Sequence, residues 1–178
     1  MANTTFDGPV RSKNGFINLG PSAVKAETLA TDLTVADHAG RLITMDPAGT
    51  PTAITIPSII STADAAVAGA SDPNNASTIG TTFEILFIDN FTGTIKTANT
   101  ADKFVGAVTL GITASTAGKQ FQVATNNNEV NLNGEAGTAT TGGLKGSIIK
   151  FTAIAANLYA VEGQLLAAGV LATPFDNQ

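Results

Sequence analysis

Apolar and polar positions alternate with a period of two along most of this chain, and that period predicts strands. In 83–89, Phe83, Ile85 and Phe87 share one side while Leu86 and Ile88 share the other. A strand that is apolar on both sides belongs at the centre of a two-layer structure. Ile54 and Ile56 alternate with threonine in 52–57, and Leu42, Ile43 and Met45 lie just before the Pro- and Gly-containing turn 46–51. Segments 41–46 and 52–57 are therefore expected to form a hairpin. Pro57 should stop its second strand or set it at an edge. Asn90-Phe91-Thr92-Gly93 turns the chain and 93–97 returns. Further strands are expected at 103–110, 119–124 and 129–133. In the second of these, Gln120 and Gln122 alternate with Phe121 and Val123, as in a half-exposed strand. Segments 147–154 and 157–163 read as a closing hairpin.

The intervals between these runs are turn-rich. Residues 61–80 are rich in Ala, Ser and Asn around Ser71-Asp72-Pro73, and residues 134–146 are rich in Gly and Thr; both read as loops. Many short strands at regular spacing predict a mainly β fold, an antiparallel β-sandwich or a small, jelly-roll-like β-barrel. Residues 1–25 break the pattern. Asp7-Gly8-Pro9 and Asn14-Gly15 are turn signals, and no sustained period links them. The expected organisation is an extended N-terminal docking arm over 1–25, a β-sandwich body over 26–165 and an apolar C-terminal tail over 166–178. Phe6 and Phe16 of the arm are costly to leave in water and should insert into a core or a neighbour.

Composition narrows the function classes. The 178 residues include no Cys, no Trp, one Tyr and one His, and only 13% are charged. A chain of this size can bury a sizeable core without staples, and no disulfide or thiolate metal site is available to it. No run of residues approaches the ~20 apolar positions that span a bilayer. No basic-then-apolar leader is visible at the start. A soluble chain made in the cytoplasm, with no membrane partner, is the expectation. Residues 1–25 hold Arg11, Lys13 and Lys25 against Asp7, a net of +2, and the remainder carries −7 of the chain's total of −5. An acidic body argues against nucleic acid as a partner. A basic arm suits an acidic neighbour.

Candidate chemistry is sparse. Catalysis by acid–base transfer, nucleophiles or metals draws on His, Cys, Lys and clustered carboxylates. His38 has Asp37 beside it in sequence, a placement that rarely gives the geometry of a hydrolase triad, and no Gly-x-Ser-x-Gly elbow occurs. It reads as a turn cap ahead of the 41–46 strand. Gly118-Lys119 looks like the end of a phosphate loop. However, Thr113 stands where the loop needs glycine and Gln120 where it needs Ser or Thr. No calcium-loop pattern occurs, and the acids are too scattered to suggest a glycosidase pair. Asn75-Ala76-Ser77 and Asn90-Phe91-Thr92 match the glycosylation sequon, a short pattern frequent by chance. The expectation is a protein that is not an enzyme and takes no cofactor.

Three pieces carry a resemblance. The opening, Ala2-Asn3-Thr4-Thr5-Phe6-Asp7-Gly8-Pro9-Val10-Arg11-Ser12-Lys13-Asn14-Gly15-Phe16, resembles the N-terminal arm of small head proteins of marine tailed bacteriophages. The middle, with Ala39-Gly40-Arg41-Leu42-Ile43, Ile54-Thr55-Ile56-Pro57 and Thr82-Phe83-Glu84-Ile85, is similar to phage virion β-proteins. So is the close, with Gly146–Phe151, Leu158–Gly163 and Pro174-Phe175, although Tyr159 stands where such relatives often have Trp. The resemblance implies a virion structural protein, a capsid decoration or cement protein on the capsid exterior that bridges major capsid subunits, typically as a homotrimer. It brings no catalytic residues. Phe6, Arg11, Lys13 and Phe16 then become the expected capsid-docking residues of the arm. The alternative is a head- or tail-fibre module that recognises host-surface glycans. Glycan sites usually present aromatic platforms, and one Tyr without Trp is a poor supply.

Overall fold

The computed structural model describes residues 24–28, 31–47, 52–60, 78–114 and 117–178. Twelve strands and one helical turn follow in the order β1 (Val24–Glu27), β2 (Thr31–Asp32), α1 (Val35–His38), β3 (Leu42–Met45), β4 (Thr52–Ile56), β5 (Thr82–Phe87), β6 (Thr92–Thr97), β7 (Lys103–Ile112), β8 (Gly118–Gln122), β9 (Glu129–Asn133), β10 (Ile148–Ala155), β11 (Leu158–Ala167) and β12 (Phe175–Asp176). They build two sheets. The larger has seven strands in the order β1-β3-β5-β10-β11-β7-β8, and the smaller has five in the order β12-β9-β6-β4-β2. The expected sandwich is present. Neither sheet closes into a barrel among the described residues.

The first half of the chain winds between the layers. Strands β1, β3 and β5 are parallel neighbours in the larger sheet, and β2, β4 and β6 are parallel neighbours in the smaller one. Each successive strand therefore crosses to the other layer and lands beside the strand two before it. The second half is mostly antiparallel: β10 pairs with β5 and β11, β7 with β8, and β9 with β6 and β12. The exception is the long parallel ladder of β11 on β7.

This arrangement corrects two expectations. Segments 41–46 and 52–57 do not form a hairpin: β3 and β4 lie in different sheets, and each pairs in parallel with strands remote in sequence. The sheets are mixed rather than purely antiparallel. The physical reason is common to both. Ile43 and Met45 on β3, and Ile54 and Ile56 on β4, all reach the same core from opposite layers. Alternation guarantees a buried side but does not choose the sheet. The turn at 90–93 likewise carries the chain across the layers into β6. The 147–154 and 157–163 hairpin is present as β10 and β11, joined through Asn157 at φ 57°.

The inner faces meet as expected for a central β5. Phe83, Ile85 and Phe87 are fully buried, as are Ile149 and Phe151 of β10 and Leu110 of β7. Phe91 sits on the crossing between layers and stacks on Phe87 with ring centroids 4.8 Å apart. Phe104 meets Phe151 at 5.2 Å. Gly106 lies opposite Val161 in the β7–β11 ladder at φ +122°, and a Cβ there would stand 2.2 Å from the Val161 carbonyl oxygen. Only glycine fits both that backbone and that space.

The C-terminal segment 166–178 is built onto this body. Its first residues end β11, Phe175 is buried against Val130, and the Pro174 carbonyl accepts from Asn131 N at 2.7 Å. Val170 is the one large apolar side chain of this segment that is exposed, at 86%.

Candidate functional site

Of the side chains singled out from the sequence, Phe6, Arg11, Lys13 and Phe16 lie outside the described residues. Lys25, the last basic residue of the arm, is in edge strand β1 and pairs with Glu27 at 3.4 Å. The boundary of the expected arm thus falls inside the larger sheet.

His38 is part of the scaffold. Thr34 caps α1, its hydroxyl accepting from Asp37 N at 3.2 Å. Thr34 N in turn donates to His38 Nδ1 at 3.0 Å. An accepting Nδ1 places the ring proton on Nε2, which donates to Glu27 Oε1 at 3.1 Å. The ring is 5% exposed. It clips the turn ahead of β3 to strand β1, so the turn-capping role expected of it describes its contacts.

A second buried polar group gathers at one end of the sandwich. Asp102, just before β7, is fully buried. Its Oδ2 accepts from Ile59 N at 3.1 Å, while Oδ1 has no hydrogen-bond partner. Burial pushes its carboxyl above the ordinary value, and the Ile59 N–H only partly opposes this. Tyr159 lies beside it and donates to the Pro57 carbonyl at 2.7 Å; burial, and then the Asp102 charge, push the phenol up. Together they hold segment 57–60. That segment leads to a neck, where Ile60 N donates to Thr78 Oγ1 at 2.8 Å and Thr78 N donates to the Ile60 carbonyl at 2.9 Å. Nearby, Gln178 Nε2 donates to the Thr97 carbonyl at 2.9 Å, and Gln178 N donates to Asn128 Oδ1 at 3.0 Å. Asp102 is sealed from water, and its hydrogen bond goes to the backbone. The geometry is that of a clamp.

Gly118-Lys119 opens edge strand β8, with the Lys119 ammonium 4.8 Å from the Phe121 ring centroid. Strand geometry there provides no phosphate cradle. Among the described residues there is no cluster of three or more His, Cys, Asp or Glu side chains placed to hold a metal. No described helix is long and apolar enough to cross a membrane.

The two outer faces differ sharply, and strand register shows how. Across the smaller sheet one row reads Asp32–Thr55–Lys96–Glu129–Asp176. Beside it, Ala53, Thr94 and Asn131 form the next row. This face is small and polar with an excess of acid. A groove of about 420 Å³ opens at its end between Asp32, Lys96 and Gln178, and no aromatic residue lines it. Across the larger sheet the equivalent row reads Val24–Leu42–Glu84–Lys150–Glu162–Ala107–Gln122. Its neighbour reads Ala26–Thr44–Leu86–Ile148–Gln164–Thr109–Gln120. Val105 and Ile154, on the same side, are 43% and 46% exposed. Lys150 Nζ binds Glu162 Oε1 at 2.8 Å, and that contact, with Glu84 adding, holds the lysine above its ordinary value. A depression of about 310 Å³ lies at the centre, between Glu84, Ile148, Lys150, Glu162 and Gly163.

Sequence reasoning missed this face. Lys150 and Glu162 lie in the two strands of the expected closing hairpin. Their union with Glu84 depends on β10 lying between β5 and β11, which only the topology reveals. Comparison of the chain with protein-family models, with curated proteins and with solved structures finds no match.

Proposed function

We propose that this chain is a structural protein of an assembled particle, a capsid decoration or cement protein that sits on the outside of a phage shell and bridges its major capsid subunits. The observation that carries this reading is the unlikeness of the two outer faces. One is a broad sheet surface bearing Leu42, Leu86, Val105, Ile148 and Ile154; the other is a small-residue polar surface with an acidic row. A sheet face that bears several large apolar side chains favours being covered, whereas an acidic polar face favours water. A subunit that fastens to others needs one of each.

The arm supplies the link to the shell. Residues 1–25 carry +2 against the acidic body, with Phe6 and Phe16 as apolar anchors and Arg11 and Lys13 as cationic ones. Such a segment, preceding an edge strand, suits addition to a neighbour's sheet. Many repeated modest contacts would then stabilise the shell collectively. Tyr159, the one residue of its kind, is consumed by the core, which weakens the glycan-recognition alternative.

The test is to add the purified protein to shells that lack it, then measure occupancy and the shell's thermal stability. Full-length protein should saturate the shell and raise its disruption temperature. Deletion of residues 2–20 should abolish occupancy. Unchanged binding by the deleted form would remove the arm from the reading, and no binding by the full chain would remove the reading itself.

A further inference from the structure

We infer that the outer face of the seven-stranded sheet is a self-association surface, on which a second copy of this chain packs about a two-fold axis running along the strands between β10 and β11. The charge pattern selects that axis. Along the central row the signs run Glu84, Lys150, Glu162 on adjacent strands β5, β10 and β11. A two-fold axis between β10 and β11 lays each β11 over the other copy's β10. Lys150 then meets Glu162 of the partner subunit, and Glu162 meets the partner subunit's Lys150. The internal pair becomes a closed quartet. An axis one strand over, between β5 and β10, would pair Lys150 with Glu84 of the partner subunit but set Glu162 on the partner's bulky Leu42, whereas the axis between β10 and β11 sets Glu84 over the partner's small Ala107, which covers the carboxylate less.

Side-chain size agrees with the same axis. It lays β7 over β5, so Leu86 meets Thr109 of the partner subunit and Thr82 meets the partner's Val105. At these two contacts a larger residue falls on a smaller one, while Ile148 falls on Gln164 of the partner subunit. The area reaches the low end of what a stable complex needs. Six overlapping strands about 4.8 Å apart and roughly 25 Å long offer on the order of 600 Å², against roughly 600–1,000 Å² per partner for a standard interface. Strand β1 has no counterpart across this axis. The inference goes beyond decoration of a shell: it concerns free protein in solution, and the shell assay above judges the other reading separately.

The test is sedimentation velocity on the full chain and on two charge reversals. Wild type should be a dimer at tens of micromolar. Lys150→Glu sets glutamate against glutamate across the axis, and Glu162→Lys sets lysine against lysine. Each alone should weaken the dimer about tenfold or more. Mixed in equal amounts they should restore it, because the mixed pair is complementary at both contacts. An intrachain role for this ion pair would give no rescue on mixing. Thr109→Arg, at an exposed position without an ionic partner in the ladder, should also split the dimer. Circular dichroism checks that each variant keeps its fold. A monomeric or trimeric wild type, or a mixture no more associated than its components, overturns the inference. A monomer whose Lys150→Glu form no longer occupies the shell would overturn it too, and would assign this face to the shell.

Discussion

The Tyr159 hydroxyl donates to the Pro57 carbonyl at 2.7 Å, joining the start of β11 in one sheet to the end of β4 in the other. The two residues are 102 positions apart. The ring is 1% exposed while Pro57 is half-buried, so the bond is made at the edge of the core and ties the two layers there. Replacing Tyr159 by Phe keeps the packing and removes the donor. The variant should lose about 1 kcal/mol, the net worth of a hydrogen bond to a half-buried carbonyl, read as a lower urea midpoint at an unchanged slope. No loss of stability would mean that the carbonyl finds water.

Asp102 gives a pH dependence with a definite sign. Its carboxyl is held above the ordinary value of 3.8 in the folded protein. The folded state therefore binds this proton more tightly than the unfolded state. The contribution favours folding at acid pH, is lost as pH rises from 3.8 through the raised value, and is constant above it. Asp102→Asn keeps an acceptor for Ile59 N and removes the titration. Urea titrations across a pH series should show wild type losing ground to this variant as pH rises through that window. A stability gap that does not change with pH would refute the assignment.

Gly106 should tolerate no side chain. Alanine there meets both the strained φ of +122° and the Val161 carbonyl at 2.2 Å. Backbone strain and overpacking each cost on the order of 1–3 kcal/mol, so Gly106→Ala should lose roughly 3 kcal/mol or more. Gly137, also at positive φ but with nothing within 4 Å of a Cβ, is the control. Gly137→Ala should lose only about 1 kcal/mol. Equal losses would show that crowding at Val161 is relieved by movement of β7.

The neck between Ile60 and Thr78 predicts a tolerated replacement. Its two reciprocal hydrogen bonds join Ile60 to Thr78 across the interval 61–77. Exchanging residues 63–75 for a short Gly-Ser linker changes loop-closure entropy by only about 1 kcal/mol. The thermal midpoint should move by a few degrees at most. A large loss would mean that the replaced residues contribute to the core.

Much of the body was legible because burial imposes its period directly. Phe83, Ile85 and Phe87 announced β5, and Ile149, Phe151 and Tyr159 announced the β10–β11 hairpin. What failed was partnership. The turn after Met45 looked like a hairpin loop, but a turn fixes a change of direction and says nothing about whether the next strand returns beside the last or on the opposite layer. Asp102 and Pro57 gave no sign of their roles, since a lone carboxylate and a lone carbonyl become a clamp only when distant strands meet. The row through Glu84, Lys150 and Glu162 was hidden for the same reason: their adjacency belongs to the topology.

The winding of β1 to β6 between layers has a consequence for how the molecule comes to be. None of these six strands can lock onto its immediate successor, so no local hairpin seeds the first half of the chain. The tight hairpin of β10 and β11 forms late in the order of synthesis, and it joins β5 to β7. The β7–β8 pair can form before it, but the strands of the first half should wait until that hairpin emerges, and the chain should refold from urea in milliseconds to seconds rather than microseconds.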